Sequence, residues 1–438
     1  MVDGIAMTPP MGWNSYDCFG AAVREDEVRA NADYMARHLK SHGWEYVVVD
    51  FCWSHPTPGS DPNPSQDEDF NPPFAMDAYS RLVPAPERFP SAGGGKGFKP
   101  LAAYIHSLGL KFGIHIMRGI PRQAVARKTP VLGSKVTAAD IADAGSDCTW
   151  LNHMYGVDMA KPGAQEYYDS LFRLYAEWGV DYVKSDDMLA GSHEIYHGPE
   201  VEAVRKAMEK CGRPMVLSFS PGAAPLAQAE HLMKYAHMWR ISGDFWDDWA
   251  GLRPQFDLCR DWAPHSGPGG WPDADMLPLG RLSKRGPTGP ERWAKFTPAE
   301  QVTMMTLWFI CRSPLMMGGN MPENDEFTLS LLTNDEALAV NRDSANNREL
   351  FRRGTGIGWI ADAPGSADKY IALFNLSESP AKVEAAFKET GLGEKCRVRD
   401  LWKRADLGEF NREFSREIPT HGAGLYRVSP GAPDSLPR

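Results

Sequence analysis

Short apolar runs ending in polar residues alternate with segments of helical period, and a C-terminal stretch of short alternating strands follows. These observations predict an α/β fold: a (β/α)8 TIM barrel followed by a small C-terminal antiparallel β-sandwich. The 438 residues suit one large domain and one small one, and the expected division is 1–345 and 346–438. The elements follow in order. A first run ends at Asn14, and Val47, Val48 and Val49 lead to Asp50. Residues 111–116 carry His115, and 180–184 run into Ser185, Asp186 and Asp187. Residues 215–219 precede Ser220, and 236–241 precede Asp244. Between them, 25–39, 99–108, 165–178, 199–210 and 225–235 read as helices. No GxGxxG turn follows the first strand, which disfavours a dinucleotide-binding sheet. Polar residues at the C-terminal ends of the strands are what a barrel gathers at its functional face.

Past Asp343, the runs 356–361, 369–376, 381–387, 395–402 and 424–428 are separated by turn residues and read as sandwich strands. The tail 430–438 is expected to fray. Three long loops, 56–90, 118–162 and 279–298, are candidates for lids, binding walls or disordered segments.

A net charge of −10 disfavours a phosphate backbone as partner, so no nucleic acid is expected. No apolar run reaches the roughly 20 residues of a membrane-spanning helix, so no membrane partner is expected. Met1 to Pro10 lack a basic segment followed by an apolar core, and no leader is read there. Seven cysteines at irregular spacing form neither a disulfide framework nor a CxxC metal pattern; no metal and no cofactor are expected. The oligomeric state is not read from the sequence. The 14 Trp and 14 Tyr offer flat faces for sugar rings, although core packing would use them equally well.

Along a strand, Lys184 and Asp186 share a face. A cation beside a carboxylate keeps it charged, as a nucleophile requires. An ordinary ion pair at a strand end has the same spacing. Asp244, Asp247 and Asp248 sit among Trp239, Phe245, Trp246 and Trp249. A carboxyl against indole rings loses hydration and can hold a proton for a leaving group. One carboxylate and one proton-holding carboxyl on facing strand ends meet the needs of glycoside hydrolysis. At least one of Asp247 and Asp248 is expected to cap the next helix. His193, Glu194, Ile195, Tyr196 and His197 match H-E-x-x-H, but Pro199 follows closely, so the motif is read as a loop and not a zinc helix.

The chain from Met7 to Asn341 resembles the glycoside hydrolase family 27 α-galactosidases, of the melibiase type. The shared motifs are Pro9 to Ser15, Val49 and Asp50 with Cys52 and Trp53, Lys111 to Ile114, and Val180 to Lys184 with Asp186. Further on come Trp239 and Arg240 with Asp244, then Gly267 to Trp271 with Asp273, Asp275, Met276 and Leu277. The resemblance implies retaining, exo-acting cleavage of an α-linked oligosaccharide or glycoconjugate through a covalent glycosyl-enzyme, with α-galactosidase as the leading activity. It implies Asp186 as nucleophile and Asp244 as acid/base. It further implies Asp50, Lys184 and Arg240 as holders of sugar hydroxyls and Tyr16 as the aromatic backing the sugar. Trp53 joins the candidate substrate-binding set. Three departures bear on the sugar. Phe51 stands where galactosidases carry a second acid, and His115 where a Tyr is common. Ser220 and Ala223 form a small wall resembling the α-N-acetylgalactosaminidase pattern. That activity, or a related α-glycosidase with altered sugar preference, is the alternative; a sugar-binding protein without catalysis ranks below both. Arg118 and Trp150 of the 118–162 loop are further candidates for the pocket.

Overall fold

The computed structural model describes residues 4–59, 61, 64–286 and 288–431. From residue 432 on, the tail expected to fray lies outside them. Eight parallel strands form the barrel: β1 (Met11–Asn14), β2 (Tyr46–Val49), β3 (Lys111–Met117), β4 (Tyr182–Asp186), β5 (Val216–Phe219), β6 (Met238–Arg240), β7 (Trp271–Asp273) and β8 (Leu315–Met317). Their order is β7-β6-β5-β4-β3-β2-β1-β8, and a parallel bridge from Leu277 to Met317 joins the ends. The strands are short and largely buried, which is why they read as apolar runs without alternation. Tyr46, Val48, Tyr182, Val216, Met238 and Trp271 pack together as a core cluster with Met276 and Met316. At Gly12 a Cβ would lie 2.4 Å from the Tyr46 carbonyl oxygen, so only glycine lets β1 come this close to β2.

The described residues divide into two compact units. The first holds the eight strands with helices α1 (Glu25–His38), α2 (Lys99–Ser107), α3 (Ala164–Trp178), α4 (Gly198–Cys211) and α5 (Ala229–Tyr235). The helix expected at 225–235 begins as a 3-10 turn and becomes α-helical only at Ala229. The fourth strand also starts later than its apolar run. Gly179, at φ 86°, closes α3 in the left-handed region and Val180 N–H bonds the Tyr175 carbonyl, so the strand begins at Tyr182 and extends through Asp186.

The loop 118–162 is built rather than loose. Ile120–Pro121, Ala142–Asp147 and Met154–Val157 form a three-stranded antiparallel sheet, with short helices at Arg122–Ala126 and Ala138–Ile141. Loop 279–298 contains a small hairpin pairing Arg281–Leu282 with Arg292–Trp293.

The second unit contains α6 (Trp249–Trp262), α7 (Pro298–Cys311), α8 (Glu326–Leu332), α9 (Asp335–Asp343) and the C-terminal strands. These are β9 (Ala345–Arg353), β10 (Gly356–Asp362), β11 (Lys369–Asn375), β12 (Ala381–Ala386), β13 (Lys395–Asp400), β14 (Ala405–Asn411), β15 (Glu413–Ile418) and β16 (Ala423–Pro430). A six-stranded antiparallel sheet, β9-β10-β11-β16-β13-β14, and a pair, β12-β15, enclose Ile371, Leu373, Phe387, Val398, Phe414 and Val428. β9, β14 and β15 are not among the strands expected from the sequence.

Candidate active site

At the C-terminal rim, the strands deliver polar side chains to one place. Asp50, just after β2, accepts from Lys184 Nζ at 3.0 Å, Asn14 Nδ2 at 2.6 Å and the Phe51 N–H at 2.7 Å. Burial alone would push its carboxyl up. Lys184, His115 and these donors outweigh burial and hold it well below the usual carboxylate range. Burial would likewise lower the Lys184 ammonium, but the charges of Asp50 and Asp186 raise it instead. The pair is therefore ionised at neutral pH.

Asp186 ends β4. Its Oδ2 lies 2.9 Å from His115 Nε2, and its Oδ1 accepts from the Ser220 hydroxyl and the Asp187 N–H, both at 3.2 Å. Arg118 fixes this strand end from behind. Its N–H donates to the Asp186 carbonyl at 2.9 Å. Its guanidinium donates to the carbonyl and Oδ2 of Asp187, both at 2.9 Å, and to Glu200 at 2.8 Å. Arg118, expected at the pocket, is thus taken up by a buried ion cluster, because two carboxylates there need a cation. Non-glycine residues in the left-handed region follow three barrel strands: Cys52 (φ 65°), Asp187 (φ 60°) and Asp275 (φ 87°). Such local strain concentrates at functional sites.

Arg240 ends β6 and joins Asp275 at 2.8 Å, Asp244 at 3.2 Å and the Gly243 carbonyl at 2.6 Å. Burial would lower its guanidinium, but Asp275, Asp244 and Asp273 raise it. Asp273 is pushed up to about 6, first by burial and then by Asp275. The Asp244 side chain stays 60% exposed at the rim. Its neighbours serve structure: Asp248 caps α6 by accepting from Gly251 N–H at 2.7 Å, and Asp247 accepts from Lys295 N–H at 2.9 Å. Tyr16 ties the halves together. Its phenol is pushed far up by burial, then by the charges of Asp244, Asp50 and Asp186, with Lys184 opposing. One ring thus feels both expected catalytic carboxylates and the Asp50–Lys184 pair.

Phe51 is only 3% exposed. Its ring stands edge-on to His115 at 5.6 Å, beside Trp150 at 6.1 Å and stacked with His153 at 6.4 Å. A cavity of about 40 Å³ is lined by Phe51, Trp53, His115, Phe74, His153 and Tyr175 among others. Trp53 is not brought to the carboxylates: its indole N–H donates to the His115 carbonyl at 2.6 Å, and its ring packs edge-on against Phe98 and Trp178. Ala223 lies exposed in the loop after β5. The His193–His197 motif is a loop with left-handed His193 and Glu194, and α4 begins after it. Among the described residues, no group of three or more His, Cys, Asp or Glu is placed to hold a metal ion, and no helix is long and apolar enough to cross a membrane. Asn14 and Asp275 carry no role expected from the sequence, although Asn14 ends its strand and Asp275 lies two residues past β7.

Parallel barrels with acids gathered over the strand ends in this way are well suited to cutting sugar acetals, and comparison with known proteins agrees: the chain is a glycoside hydrolase. The family description Alpha galactosidase A matches residues 123–343, and Alpha galactosidase C-terminal beta sandwich domain matches 359–428. The chain belongs to glycoside hydrolase family 27, the melibiase family. It is similar to the β-L-arabinopyranosidase Abp of Geobacillus stearothermophilus, with 51% identity over 98% of both chains and a TM-score of 0.95. A variant of that enzyme has been solved in complex with arabinose. The α-galactosidase of Cyamopsis tetragonoloba is 29% identical over 98% of this chain and 88% of its own. The α-galactosidase I structure from Mortierella vinacea matches with 24% identity, a TM-score of 0.73, and 99% and 100% of the two chains covered, a likeness of fold.

Proposed function

We propose that this chain is a retaining exo-glycosidase that removes terminal β-L-arabinopyranosyl groups in preference to α-D-galactosyl groups. The two sugars share ring stereochemistry from C1 to C4; arabinopyranose carries only hydrogens where galactose carries its hydroxymethyl group. The observation that carries the reading is Phe51, set among His115, Trp150 and His153 beside Asp50. On this reading the wall faces the carbon that bears galactose's hydroxymethyl group, where it offers no carboxylate, and a pyranose with only hydrogens there forgoes no hydrogen bond. Asp50 with Lys184, and Arg240, remain to hold hydroxyls. The similarity to an arabinopyranosidase supports the same choice.

In the mechanism, Asp186 attacks C1 while Asp244 gives its proton to the departing oxygen. Water then releases the sugar from Asp186, with Asp244 now taking the proton. The barrel, 1–345, carries this chemistry. Ser220, through its hydroxyl on Asp186, serves the nucleophile, and Ala223 leaves room beyond it.

The test is kcat/KM on aryl β-L-arabinopyranoside, α-D-galactopyranoside, α-D-glucopyranoside and 2-acetamido-2-deoxy-α-D-galactopyranoside, with the first-formed anomer read by NMR. Arabinopyranoside should lead, with galactoside second and configuration retained. A galactoside preference restores α-galactosidase as the activity; an acetamido preference makes the Ser220 and Ala223 wall decisive; inversion removes the covalent step.

A further inference from the structure

We infer that His115 acts on the nucleophile and not on the sugar, as the hydrogen-bond donor that stabilises the Asp186 carboxylate when it leaves the glycosyl-enzyme. The inference rests on Asp186 being the nucleophile. An ionised carboxylate can only accept, so the Nε2 that lies 2.9 Å from Asp186 Oδ2 must carry a proton. The ring has little freedom to do otherwise. It is 2% exposed and edge-on to Phe51, its carbonyl holds the Trp53 indole N–H, and it pairs in register with Lys184 across β3 and β4.

The two oxygens of Asp186 are held unequally. Oδ1 has two contacts at 3.2 Å, from the Ser220 hydroxyl and the Asp187 N–H, whereas Oδ2 has the shorter contact to His115. The contacts on Oδ1 are both longer than the one on Oδ2, and on that ground the bond to C1 is assigned to Oδ1. In the first step the C1–Oδ1 bond forms, the C1–aglycone bond breaks, and the aglycone oxygen takes the proton of Asp244. Oδ2 becomes the carbonyl oxygen of the ester. In the second step water oxygen bonds to C1, Asp244 takes a water proton, and the C1–Oδ1 electron pair returns to the carboxylate. The negative charge that returns to Oδ1 is shared by resonance with Oδ2, where the His115 N–H already points. A donor aimed at developing charge in a buried site favours the step in which that charge appears. In the first step the same donor favours the ground-state carboxylate, so its loss falls mainly on deglycosylation.

The test compares wild type, His115→Phe and His115→Gln on an aryl glycoside with a good leaving group. His115→Phe keeps a ring and removes the donor. Expected are a burst of aglycone followed by slow turnover, kcat reduced about 10- to 100-fold, and KM reduced with it because the glycosyl-enzyme accumulates. His115→Gln, which retains an N–H donor, should recover much of kcat and lose the burst. Labelling with a fluorosugar inactivator and peptide mapping identifies the nucleophile independently. A label on another carboxylate would overturn the Asp186 assignment. A label on Asp186 in a His115→Phe enzyme with no burst and with kcat and KM both unchanged, or with kcat lowered at an unchanged KM, would overturn the role of His115 alone. Should His115→Phe fail to fold, full activity in His115→Leu, which has no donor, or loss of activity in folded His115→Gln would overturn that role equally.

Discussion

At the scale of single residues, the two rim carboxylates should separate by their variants. Asp186→Ala should lower turnover by several orders of magnitude, and azide should restore part of it while giving a product of opposite anomeric configuration. Asp244→Ala should slow alkyl glycosides far more than activated aryl glycosides, since only the former need the proton; equal losses on both would reassign the acid. Asp273 provides a pH-dependent stability. Its folded-state carboxyl titrates near 6, above the ordinary value near 4. The folded chain therefore binds that proton more tightly than the unfolded chain does. Its contribution favours folding at low pH and is lost as pH rises from about 4 through 6, on the order of 3 kcal/mol in total. Asp273→Asn should remove that slope, so its melting temperature relative to wild type should improve between pH 4 and pH 8. The residue types at the rim are legible in the sequence because each ends an apolar run. Their partners are not: Asn14 with Asp50, and His115 and Ser220 with Asp186, are joined only when strands from distant parts of the chain lie side by side.

At the scale of elements, legibility follows burial. β2 and β5 are buried along their length and stand out as apolar runs. β14 is largely exposed, and β15 buries only Phe414 and Ile418, so neither shows the run that marks a buried strand. The segment 118–162 reads as loop because its pieces are only two to six residues long, too short to show a period, although its three strands pair with one another. α6 gives the element-scale prediction. Asp248 is its N-cap, accepting from Gly251 N–H at 2.7 Å. Asp248→Ala should cost about 1 kcal/mol in urea denaturation and leave the dependence on leaving group untouched. Asp244→Ala should do the reverse. If Asp248→Ala instead reproduced the leaving-group defect, the assignment of acids along this stretch would have to be exchanged.

Across the whole molecule, the order of a barrel and then a sandwich is plain in the sequence, because the change from helical to alternating period near Asp343 is a change in what must be buried. All seven cysteines are free, and six of them are buried. The fold is thus held by packing and hydrogen bonds. Adding a thiol reductant should leave the melting temperature unchanged; a fall of several degrees would reveal a cross-link between chains or a rearranged fold.

The space lined by Phe51 and His115 has a consequence for how such a chain changes over generations. A side chain that borders a void can shrink, grow or gain a polar tip with less disturbance of its neighbours than one locked in a filled core. Position 51 stands next to Asp50 yet carries none of the chemistry proposed for the site. On the proposed reading, mutation there alters which sugar is accepted while the barrel still folds and Asp186 and Asp244 keep their places. Sugar preference and foldability can then be inherited as separate traits, and a lineage can move between substrates without first passing through an unfolded intermediate form.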